Sequence, residues 1–491
     1  MLPSILRVLL LCALCSGAVA APVAAIPVEV DAALARAKIP RDAVALLVVD
    51  ADGSNAVPRL SHRAQAPMNP ASVMKLVTTY AALDLLGPAY AWNTPVYVDG
   101  AVRDGTLTGN VYIKGQGDPK LVLERLWLLL RRLQGLGIRQ IAGDIVLDRS
   151  ALDVPDTDPA SFDGEPLRPY NASPDALLIN YKSVVMTFTP DRGSNAAQVQ
   201  FDPPLYGVLT QNTVPLSNAE CGDYRAALKA DFSDASRIRF AGSYAADCGE
   251  KVWPVAYAEP RSYALRAVQG LWLDMGGKLT GNVRYGTVPA PLAAGKPTLE
   301  STSAPLAEII RDINKFSNNV MAQQVFLTLG RVLAPPADAS APATDAASGM
   351  SGGSFIASRA VIQRWWKDRI STEDVPVLDN GSGLSRNERI SAQGLALLLQ
   401  KAYRSPTMPE LMSSLPLTGV DGTLKRFKSK AMASAHLKTG SLSNVIARAG
   451  YVDGASGKRY ILVALINHAN ASTDAARTVM ETLVDWVAKD N

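Results

Sequence analysis

A serine and a lysine three residues apart, Ser72 and Lys75, are the side chains of this sequence with the clearest capacity for chemistry. Residues at this spacing lie on one face of a helix, so the hydroxyl and the amine would stand side by side. A lysine that burial keeps neutral can take the proton of a neighbouring serine and make it a nucleophile. The pair therefore predicts covalent catalysis by Ser72, although a pattern with two fixed positions also arises by chance about once or twice in a chain of this length.

The residues around the pair predict a helix that begins beside it. Asn69 can cap this helix, Pro70 suits its first position, and Gly87 with Pro88 would end it. Apolar residues recur between these ends at helical spacing, namely Leu76, Val77, Tyr80 and Leu83. The pair would thus be held at the start of a packed helix.

The first 20 residues have the pattern of an export signal. Arg7 precedes an apolar run at 8–14, and Ala18-Val19-Ala20 provides a cleavage site of small residues. We expect cleavage after Ala20 and a soluble periplasmic product. An uncleaved N-terminal anchor is the alternative, although the apolar run is short for a membrane span.

Cysteine, histidine and charge content narrow the classes of function. Cys221 and Cys248 would remain after cleavage, and in an oxidising compartment a disulfide between them is the natural expectation, with two buried thiols as the alternative. The sequence has three histidines, and its Cys-x-x-Cys at 12–15 would be removed with the export signal. Both facts argue against a zinc site, so neither a metal nor a cofactor is expected. The net charge is only +4, and the sequence contains no long run of basic residues. Nucleic acid is therefore not an expected partner.

Apolar periodicity along the chain predicts an α+β protein with an insertion. An apolar run at 43–49 and a hairpin of 445–452 with 459–468 predict strands near both ends. Helical spacing recurs at 120–134, from 306, at 357–367, at 392–403 and at 473–489, and short strands are expected at 95–98, 109–115, 141–147, 184–189 and 283–287. We expect 21–95 and 298–491 to form one discontinuous catalytic domain, interrupted by a strand-rich region at 96–297 that holds two nested domains.

Two further motifs follow the Ser-x-x-Lys pair. Lys438-Thr439-Gly440 is the single Lys-Thr-Gly of the sequence and directly precedes the C-terminal hairpin. Ser317-Asn318-Asn319 is a Ser-x-Asn match in a helical region, and the same pattern recurs at 385–387. Ser-x-x-Lys, Ser-x-Asn and Lys-Thr-Gly in this order are the signature of penicillin-recognising serine enzymes.

With these motifs, the sequence resembles the low-molecular-mass class C penicillin-binding proteins, the DacB-type D-alanyl-D-alanine carboxypeptidases/endopeptidases. The resemblance covers nearly the whole chain after residue 20 and includes the segments 115–119, 315–319, 379–386 and 419–424. The long separation of Ser72 from Ser317 is typical of this family, which inserts extra domains there, whereas a class A β-lactamase has no such insertion. The resemblance implies a transpeptidase/β-lactamase-like domain with an antiparallel sheet flanked by helices.

The resemblance also implies roles for the motif residues. Ser72 would attack the carbonyl of the penultimate D-alanine to form an acyl-enzyme, Lys75 would accept its proton, and Ser317 would pass a proton to the leaving amine. Burial and the charge of Lys438 would both lower the pKa of Lys75. The expected substrate-binding residues are Asn319, Lys438, Thr439, Gly440 and Ser441, and Ser441 stands where the family usually has threonine. The backbone N–H groups of Ser72 and Ser441 would form the oxyanion hole.

The partners that this resemblance implies are peptidoglycan stem peptides and β-lactams. The peptides would end in D-Ala-D-Ala or carry D,D-cross-links, the antibiotics would bind covalently, and any membrane association would be peripheral. A β-lactamase and a non-catalytic peptidoglycan-binding protein are the alternatives, and the choice between carboxypeptidase and endopeptidase action stays open. A Gly-x-Ser-x-Gly match at 349–353 lacks the preceding strand that a nucleophile elbow needs, and we interpret it as a chance match.

Overall fold

The computed structural model describes residues 25–55, 57–334 and 353–490. The predicted export signal and all but the last residue of the Gly-x-Ser-x-Gly match lie outside these described residues. The helices, in chain order, are α1 (Val28–Arg36), α2 (Lys75–Leu86), α3 (Leu123–Gly135), α4 (Tyr224–Leu228), α5 (Pro260–Asp274), α6 (Ala290–Ala293), α7 (Leu306–Phe316), α8 (Asn319–Leu333), α9 (Phe355–Arg369), α10 (Ala392–Tyr403), α11 (Met408–Ser414) and α12 (Asp474–Lys489).

The strands of the described residues form several separate sheets. In chain order they are β1 (Val44–Asp50), β2 (Leu60–His62), β3 (Asn93–Val98), β4 (Val102–Arg103), β5 (Thr106–Leu107), β6 (Val111–Lys114), β7 (Gln140–Ile141), β8 (Ile145–Asp148), β9 (Ser183–Asp191), β10 (Ala196–Asp202), β11 (Leu209–Thr210), β12 (Thr213–Ser217), β13 (Ala230–Asp231), β14 (Arg237–Phe240), β15 (Tyr244–Ala245), β16 (Lys251–Ala256), β17 (Lys278–Leu279), β18 (Val283–Tyr285), β19 (Leu299–Thr302), β20 (Ala435–Leu442), β21 (Val445–Asp453) and β22 (Arg459–Asn467).

One antiparallel sheet joins the two ends of the chain in the order β2-β1-β22-β21-β20. The N-terminal strand β1 pairs with β22 from Val44↔Ile466 to Asp50↔Tyr460. One face of this sheet packs on α1 and α12, and the other packs on a layer that contains α2 and α7 to α11. The prediction of an α+β fold with an antiparallel sheet flanked by helices is confirmed.

The central strands of this sheet are apolar on both faces because helices cover both sides. In β21, Ala447, Ala449 and Tyr451 lie in the core on the α2 side. Their neighbours Ile446 and Val452 lie in the core on the α12 side. Burial on both faces explains why the sequence shows continuous apolar runs here rather than an alternation with polar residues.

The predicted amphipathic helices have their apolar faces buried. Thr473 caps α12 by accepting a hydrogen bond from the N–H of Ala476 at 3.2 Å. The buried face of α12 comprises Ala476, Val479, Met480, Leu483, Val484 and Val487, as the helical spacing predicts. The leucine-rich α3 likewise packs through Leu126, Leu129, Leu130 and Leu133. None of the helices in the described part of the chain has the length and hydropathy needed to cross a bilayer.

The inserted region is built from strands that are interleaved along the chain. Two sheets, β18-β8-β6-β3-β19 and β17-β7-β5-β4, are begun before residue 150 and completed after residue 277. The strands β9 to β16 form two other sheets between them, and there Cys221 and Cys248 form the expected disulfide with an S–S distance of 2.05 Å. This interleaving accords with nested units, and the domain limits themselves stay a prediction.

The prediction of one continuous strand at 141–147 is wrong, because this segment contains parts of two separate strands, β7 and β8, which belong to different sheets. The chain turns between them at Gly143, where a Cβ would lie 2.6 Å from the carbonyl oxygen of Gly109. Asn110 fixes this turn by accepting a hydrogen bond from the N–H of Asp144 at 2.8 Å. The apolar pattern of 141–147 therefore does not reveal the turn, because the contact between Asn110 and Asp144, which are far apart in the sequence, fixes it.

The inserted region is fastened to the catalytic domain along α8. Gln324 exchanges two hydrogen bonds with the backbone of Asp175, at 3.0 and 2.8 Å. One turn further, Thr328 accepts a hydrogen bond at 2.9 Å from the indole of Trp92, which belongs to the catalytic domain just before the inserted region. The helix that begins at Asn319 is therefore held from both sides.

Candidate active site

Ser72 lies on a short 3₁₀-helix, Ala71–Met74, which leads directly into α2. The side chain of Asn69 accepts a hydrogen bond from the N–H of Ala71 at 2.8 Å. Ala71 has a left-handed φ of +47°, so the α-helix begins at Lys75 rather than at Pro70 as the sequence predicts. The expected end at Gly87 is confirmed, and there φ is +80°. Ser72 thus lies in a distorted turn ahead of the helix.

Two glycines allow neighbouring backbone to approach Ser72 closely. A Cβ on Gly440 of β20 would lie 2.5 Å from the carbonyl oxygen of Pro70. A Cβ on Gly383 would lie 2.0 Å from that of Ala71, and Gly383 also has a φ of +78°. Only residues without a side chain fit these two positions. The glycine of the Lys-Thr-Gly motif is therefore required by packing against the serine turn.

Lys75 is fully buried and hydrogen-bonded to three oxygen atoms. Its Nζ lies 2.9 Å from the Oγ of Ser72, 2.6 Å from the Oδ1 of Asn319 and 2.5 Å from the carbonyl oxygen of Ser382. A neutral amine has two N–H donors and one lone pair. The amide and carbonyl oxygens can only accept and so occupy both donors. The lone pair is left for the O–H of Ser72, which is the geometry of a base facing its nucleophile.

Electrostatics supports a neutral Lys75. Burial lowers its pKa to about 7, and the negative charge of Glu388 opposes that effect. Lys438 is also fully buried, and both burial and the positive charge of Lys75 lower its pKa well below the usual range. Burial as a cause of the low pKa of Lys75 is confirmed. The repulsion between the two lysines contributes to the lowered pKa of Lys438, and the expected effect of Lys438 on Lys75 stays a prediction.

Ser317 lies between two helices rather than within one. It ends α7 with a left-handed φ of +57°, and Asn318 then caps α8 by accepting from the N–H of Met321 at 3.1 Å. This break turns the Ser317 hydroxyl toward β20, where the Nζ of Lys438 donates a hydrogen bond to it at 3.0 Å. Lys438 also donates to the carbonyl of Thr439 at 2.8 Å. A second lysine–serine pair therefore lines the site.

The remaining predicted residues lie around these two pairs. Asn319 points its Oδ1 at Lys75, and its Nδ2 donates to the carbonyl of Tyr170 at 3.1 Å. The Oγ1 of Thr439 lies 2.7 Å from that of Thr423. Ser441 is exposed one residue beyond Gly440 on β20. The structure thus brings Ser72, Lys75, Ser317, Asn319 and the Lys438–Ser441 segment to one cleft.

Four groups at this site received no role from the sequence, although Ser382 and Thr423 lie in the segments 379–386 and 419–424 that carry the family resemblance. Glu388 and the carbonyl of Ser382 adjoin Lys75, the carbonyl of Tyr170 comes from the inserted region, and Thr423 bonds Thr439. Two of these groups are backbone carbonyls, which leave no signal in residue types. The segment 379–386 is part of the family resemblance, but nothing in the sequence directed the carbonyl of Ser382 at Lys75.

A serine hydroxyl beside a buried amine, with a second lysine–serine pair at the edge of an antiparallel sheet, is the arrangement of the penicillin-recognising serine enzymes. Comparison with known proteins agrees with this class. The chain belongs to the D-Ala-D-Ala carboxypeptidase 3 (S13) family, whose model matches residues 27–490. The sequence-based expectation of a serine-type D-Ala-D-Ala carboxypeptidase is confirmed by this membership.

Individual relatives are similar over most of their length. A D-alanyl-D-alanine carboxypeptidase of Actinomadura sp. (strain R39) is 28% identical over 407 residues, which cover 79% of this chain and 71% of that protein. D-alanyl-D-alanine carboxypeptidase DacB of Haemophilus influenzae is 24% identical over 421 residues, or 85% of this chain and 84% of the relative. The crystal structure of H. influenzae penicillin binding protein 4 (dacB) has a TM-score of 0.70 at 22% identity and covers 94% of this chain and 99% of that one, which shows a common fold.

Proposed function

We propose that this protein hydrolyses the D-Ala-D-Ala end or the D,D-cross-link of peptidoglycan stem peptides through an acyl-enzyme on Ser72. One observation carries the proposal. The two N–H donors of neutral Lys75 are occupied by Asn319 and Ser382, so its lone pair faces the Ser72 hydroxyl at 2.9 Å. With a pKa of about 7, a substantial fraction of this amine is neutral near pH 7, and the neutral amine is still basic enough to accept a proton.

Acylation uses both lysine–serine pairs. The Oγ of Ser72 attacks the carbonyl carbon of the penultimate D-alanine while Lys75 takes its proton. The tetrahedral intermediate collapses when the C–N bond breaks. Ser317 gives its proton to the leaving amine and is reprotonated with the proton that Lys75 took from Ser72, so both groups return to their starting state. Lys438 donates to Ser317 at 3.0 Å and holds that hydroxyl in place. The products of this half-reaction are an ester on Ser72 and a free amino group.

Deacylation returns the enzyme to its starting state. Water attacks the ester carbonyl, a proton from the water goes to the base, and Ser72 leaves with a proton restored to its oxygen. The backbone N–H groups of Ser72 and Ser441 would stabilise the oxyanion in both steps, a contribution of about 3–4 kcal/mol per donor in other enzymes. The same ester forms whether the leaving amine belongs to D-alanine or to a cross-linked peptide, so one site serves both reactions.

The residues that would bind the terminal carboxylate of the substrate lie on β20. Lys438 is fully buried, and burial together with the positive charges of Lys75 and Arg448 lowers its pKa well below the usual range. A substrate carboxylate would supply the missing negative charge and raise the pKa of Lys438. Thr439 and the exposed Ser441 would add neutral hydrogen bonds. β-Lactams carry a carboxylate beside a reactive amide, and we expect them to acylate Ser72 in the same position.

A periplasmic location completes the proposal. The export-signal pattern at 1–20 and the Cys221–Cys248 disulfide both suit an oxidising compartment outside the cytoplasm. Peptidoglycan is the polymer of that compartment that carries D-alanyl ends, and this makes it the expected substrate.

Digestion of purified muropeptides with analysis by mass tests the proposal. Wild-type protein is expected to release D-alanine from pentapeptide monomers, to convert cross-linked dimers to monomers, or to do both. The Ser72→Ala variant is expected to lose at least about 10⁴-fold in rate, because the covalent route is closed. Ser351→Ala is the matched control, since Ser351 belongs to the rival Gly-x-Ser-x-Gly match, and it should retain full activity. Loss of activity in the control, or retention in Ser72→Ala, would contradict the assignment.

A β-lactamase is the nearest rival, and the lifetime of the penicillin adduct separates the two. We expect a long-lived adduct, because a peptidase site is shaped to deacylate a D-alanyl peptide ester. Rapid turnover of penicillin, with no release of D-alanine from muropeptides, would replace the peptidase assignment by the lactamase.

A further inference from the structure

Glu388 is a fully buried carboxylate near the catalytic pair that belongs to none of the sequence motifs. Its Oε1 accepts hydrogen bonds from three successive backbone N–H groups, those of Asp379 at 3.1 Å, Asn380 at 3.1 Å and Gly381 at 2.9 Å. Charged acceptors make stronger hydrogen bonds than neutral ones, and three donors that converge on one oxygen fix the path of the backbone. Glu388 is therefore the anchor of this turn.

The anchored turn leads directly to the base. Ser382 follows Gly381, and its carbonyl accepts the 2.5 Å hydrogen bond from Lys75. On the opposite side, Thr78 of α2 donates to the carbonyl of Gly381 at 2.6 Å. If the turn shifted, the Ser382 carbonyl would release one N–H of Lys75, and the lone pair would no longer be directed at Ser72. Glu388 thus acts on the base through one stretch of backbone.

Glu388 also acts on Lys75 through its charge. The negative charge of Glu388 holds the pKa of Lys75 up against the effect of burial. The other charged groups facing this pair are Lys438 on β20, which is repelled by Lys75, and Asp379, which together with burial raises the pKa of Glu388. The Oε2 of Glu388 has no hydrogen-bond partner among the described residues, so no donor there neutralises this side of the carboxylate.

We propose that Glu388 is a positioning residue for Lys75, which holds the Ser382 carbonyl in place and supplies the negative charge that stabilises the lysine once it has taken the proton of Ser72. The inference rests on the proposed function, since it requires Lys75 to be the proton acceptor. Proton transfer creates a cation in a buried layer, and an uncompensated buried cation is costly. An anion in the same layer lowers that cost and makes the transfer easier.

Glu388→Gln tests both parts of the proposal, because it keeps the shape and an acceptor oxygen but removes the charge. Glu410→Gln on α11 is the matched control for a Glu-to-Gln change outside the cleft. The readout is the second-order rate of acylation by a fluorescent penicillin as a function of pH. In the wild type, this rate should rise with pH as Lys75 loses its proton and level off above a pKa of about 7.

The Gln variant should change this profile in two ways. Without the anion, the protonated lysine is less stable, so the acid limb should move to lower pH by about half a unit or more. A less basic amine accepts the serine proton less readily, so the plateau should fall about tenfold or more. Glu410→Gln should leave both features unchanged. A Gln variant that folds and keeps the wild-type limb and plateau would overturn the proposal.

Glu388→Asp provides the second arm, because it keeps the charge but shortens the anchor by one methylene. We expect its acid limb to stay in place while its plateau falls, since the turn is displaced. If the Gln variant does not fold, an Asp variant with this profile supports the proposal, and one with an unchanged profile contradicts it. Failure of both variants to fold also contradicts it, because Glu388 would then serve the fold and not the base. A wild type that forms no adduct refutes the proposed function itself, which separates the two failures.

Discussion

The two lysine–serine pairs of the cleft are alike in geometry and different in electrostatics. Lys75 lies 2.9 Å from Ser72, and Lys438 lies 3.0 Å from Ser317. Both lysines are fully buried, and burial lowers the pKa of each. The difference is that Glu388 supports the charge of Lys75, whereas Lys438 faces the positive charge of Lys75.

This difference assigns the lysines to separate tasks. A pKa of about 7 lets Lys75 gain and lose a proton during each turnover, as a general base must. No comparable anion among the described residues raises the pKa of Lys438, and this lysine is suited to bind an anion of the substrate. Hydrogen-bond distances alone would have made the two pairs interchangeable, and the surrounding charges separate them.

Replacing each lysine by methionine should produce the largest contrast. Lys75→Met removes the base, and acylation by penicillin should fall by about 10³-fold or more for every substrate. Lys438→Met removes the carboxylate partner, so the preference for a peptide ending in a free carboxylate over its C-terminal amide should collapse to about unity. The measurement is kcat/KM for the acid and the amide with each variant.

The pattern across the four values is decisive. Lys75→Met should lower both values in the same proportion and keep the ratio of acid to amide. A Lys75→Met variant within tenfold of the wild type, or a Lys438→Met variant that keeps the full preference for the acid, would show that the assignments are wrong. Methionine is close to lysine in length and buries no charge, so the folded state should tolerate both changes.

A smaller effect on acylation is expected from weakening the ion pair that supports the Lys438–Ser317 side of the site. Buried Lys315, two residues before Ser317, donates to both oxygens of Asp421 at 2.8 and 2.6 Å. This ion pair ties the end of α7 to the segment that carries Thr423, which in turn contacts Thr439. The pair therefore holds one side of the cleft together without touching the nucleophile.

Asp421→Asn should weaken this support and lower the free energy of unfolding by about 1.5–3 kcal/mol, the usual contribution of a hydrogen bond to a charged group. Asp31→Asn is the control, because it breaks the exposed Arg41–Asp31 pair, whose charges are screened by solvent, and it should lower the free energy of unfolding much less than Asp421→Asn. Urea denaturation measures both. Acylation of Ser72 should change less than in either lysine variant, and a loss as large as that of Lys75→Met would make the Lys315 side equal in importance to the base.

Much of the fold could be predicted because local pattern and tertiary structure agree in the catalytic domain. The helix α10 occupies 392–403 as expected, and the hairpin of β21 and β22 turns at the predicted glycine-containing loop. The inserted region was harder. Its strands are as short as two residues, and long-range contacts such as Asn110 with Asp144 decide where they end.

The candidate site likewise has a part that the sequence predicts and a part that it does not. Side chains whose chemistry depends on their type, such as Ser72, Lys75 and Lys438, could be found from motifs and their order. The backbone carbonyls of Ser382 and Tyr170 could not, because any residue supplies a carbonyl and only the folded chain directs it. Glu388 was missed for a related reason. Its proposed function follows from the hydrogen bonds that it accepts from three backbone N–H groups, and no motif in the sequence marks these bonds.

The position of the penicillin adduct tests the central claim most directly. Wild-type protein would be incubated with penicillin, digested, and its peptides sequenced by mass spectrometry. We expect the added mass on Ser72 and on no other residue, because among the described residues this is the hydroxyl that faces the lone pair of a buried lysine with a pKa of about 7. An adduct on Ser317 or on Ser351, or no adduct at saturating penicillin, would contradict the claim that Ser72 is the nucleophile.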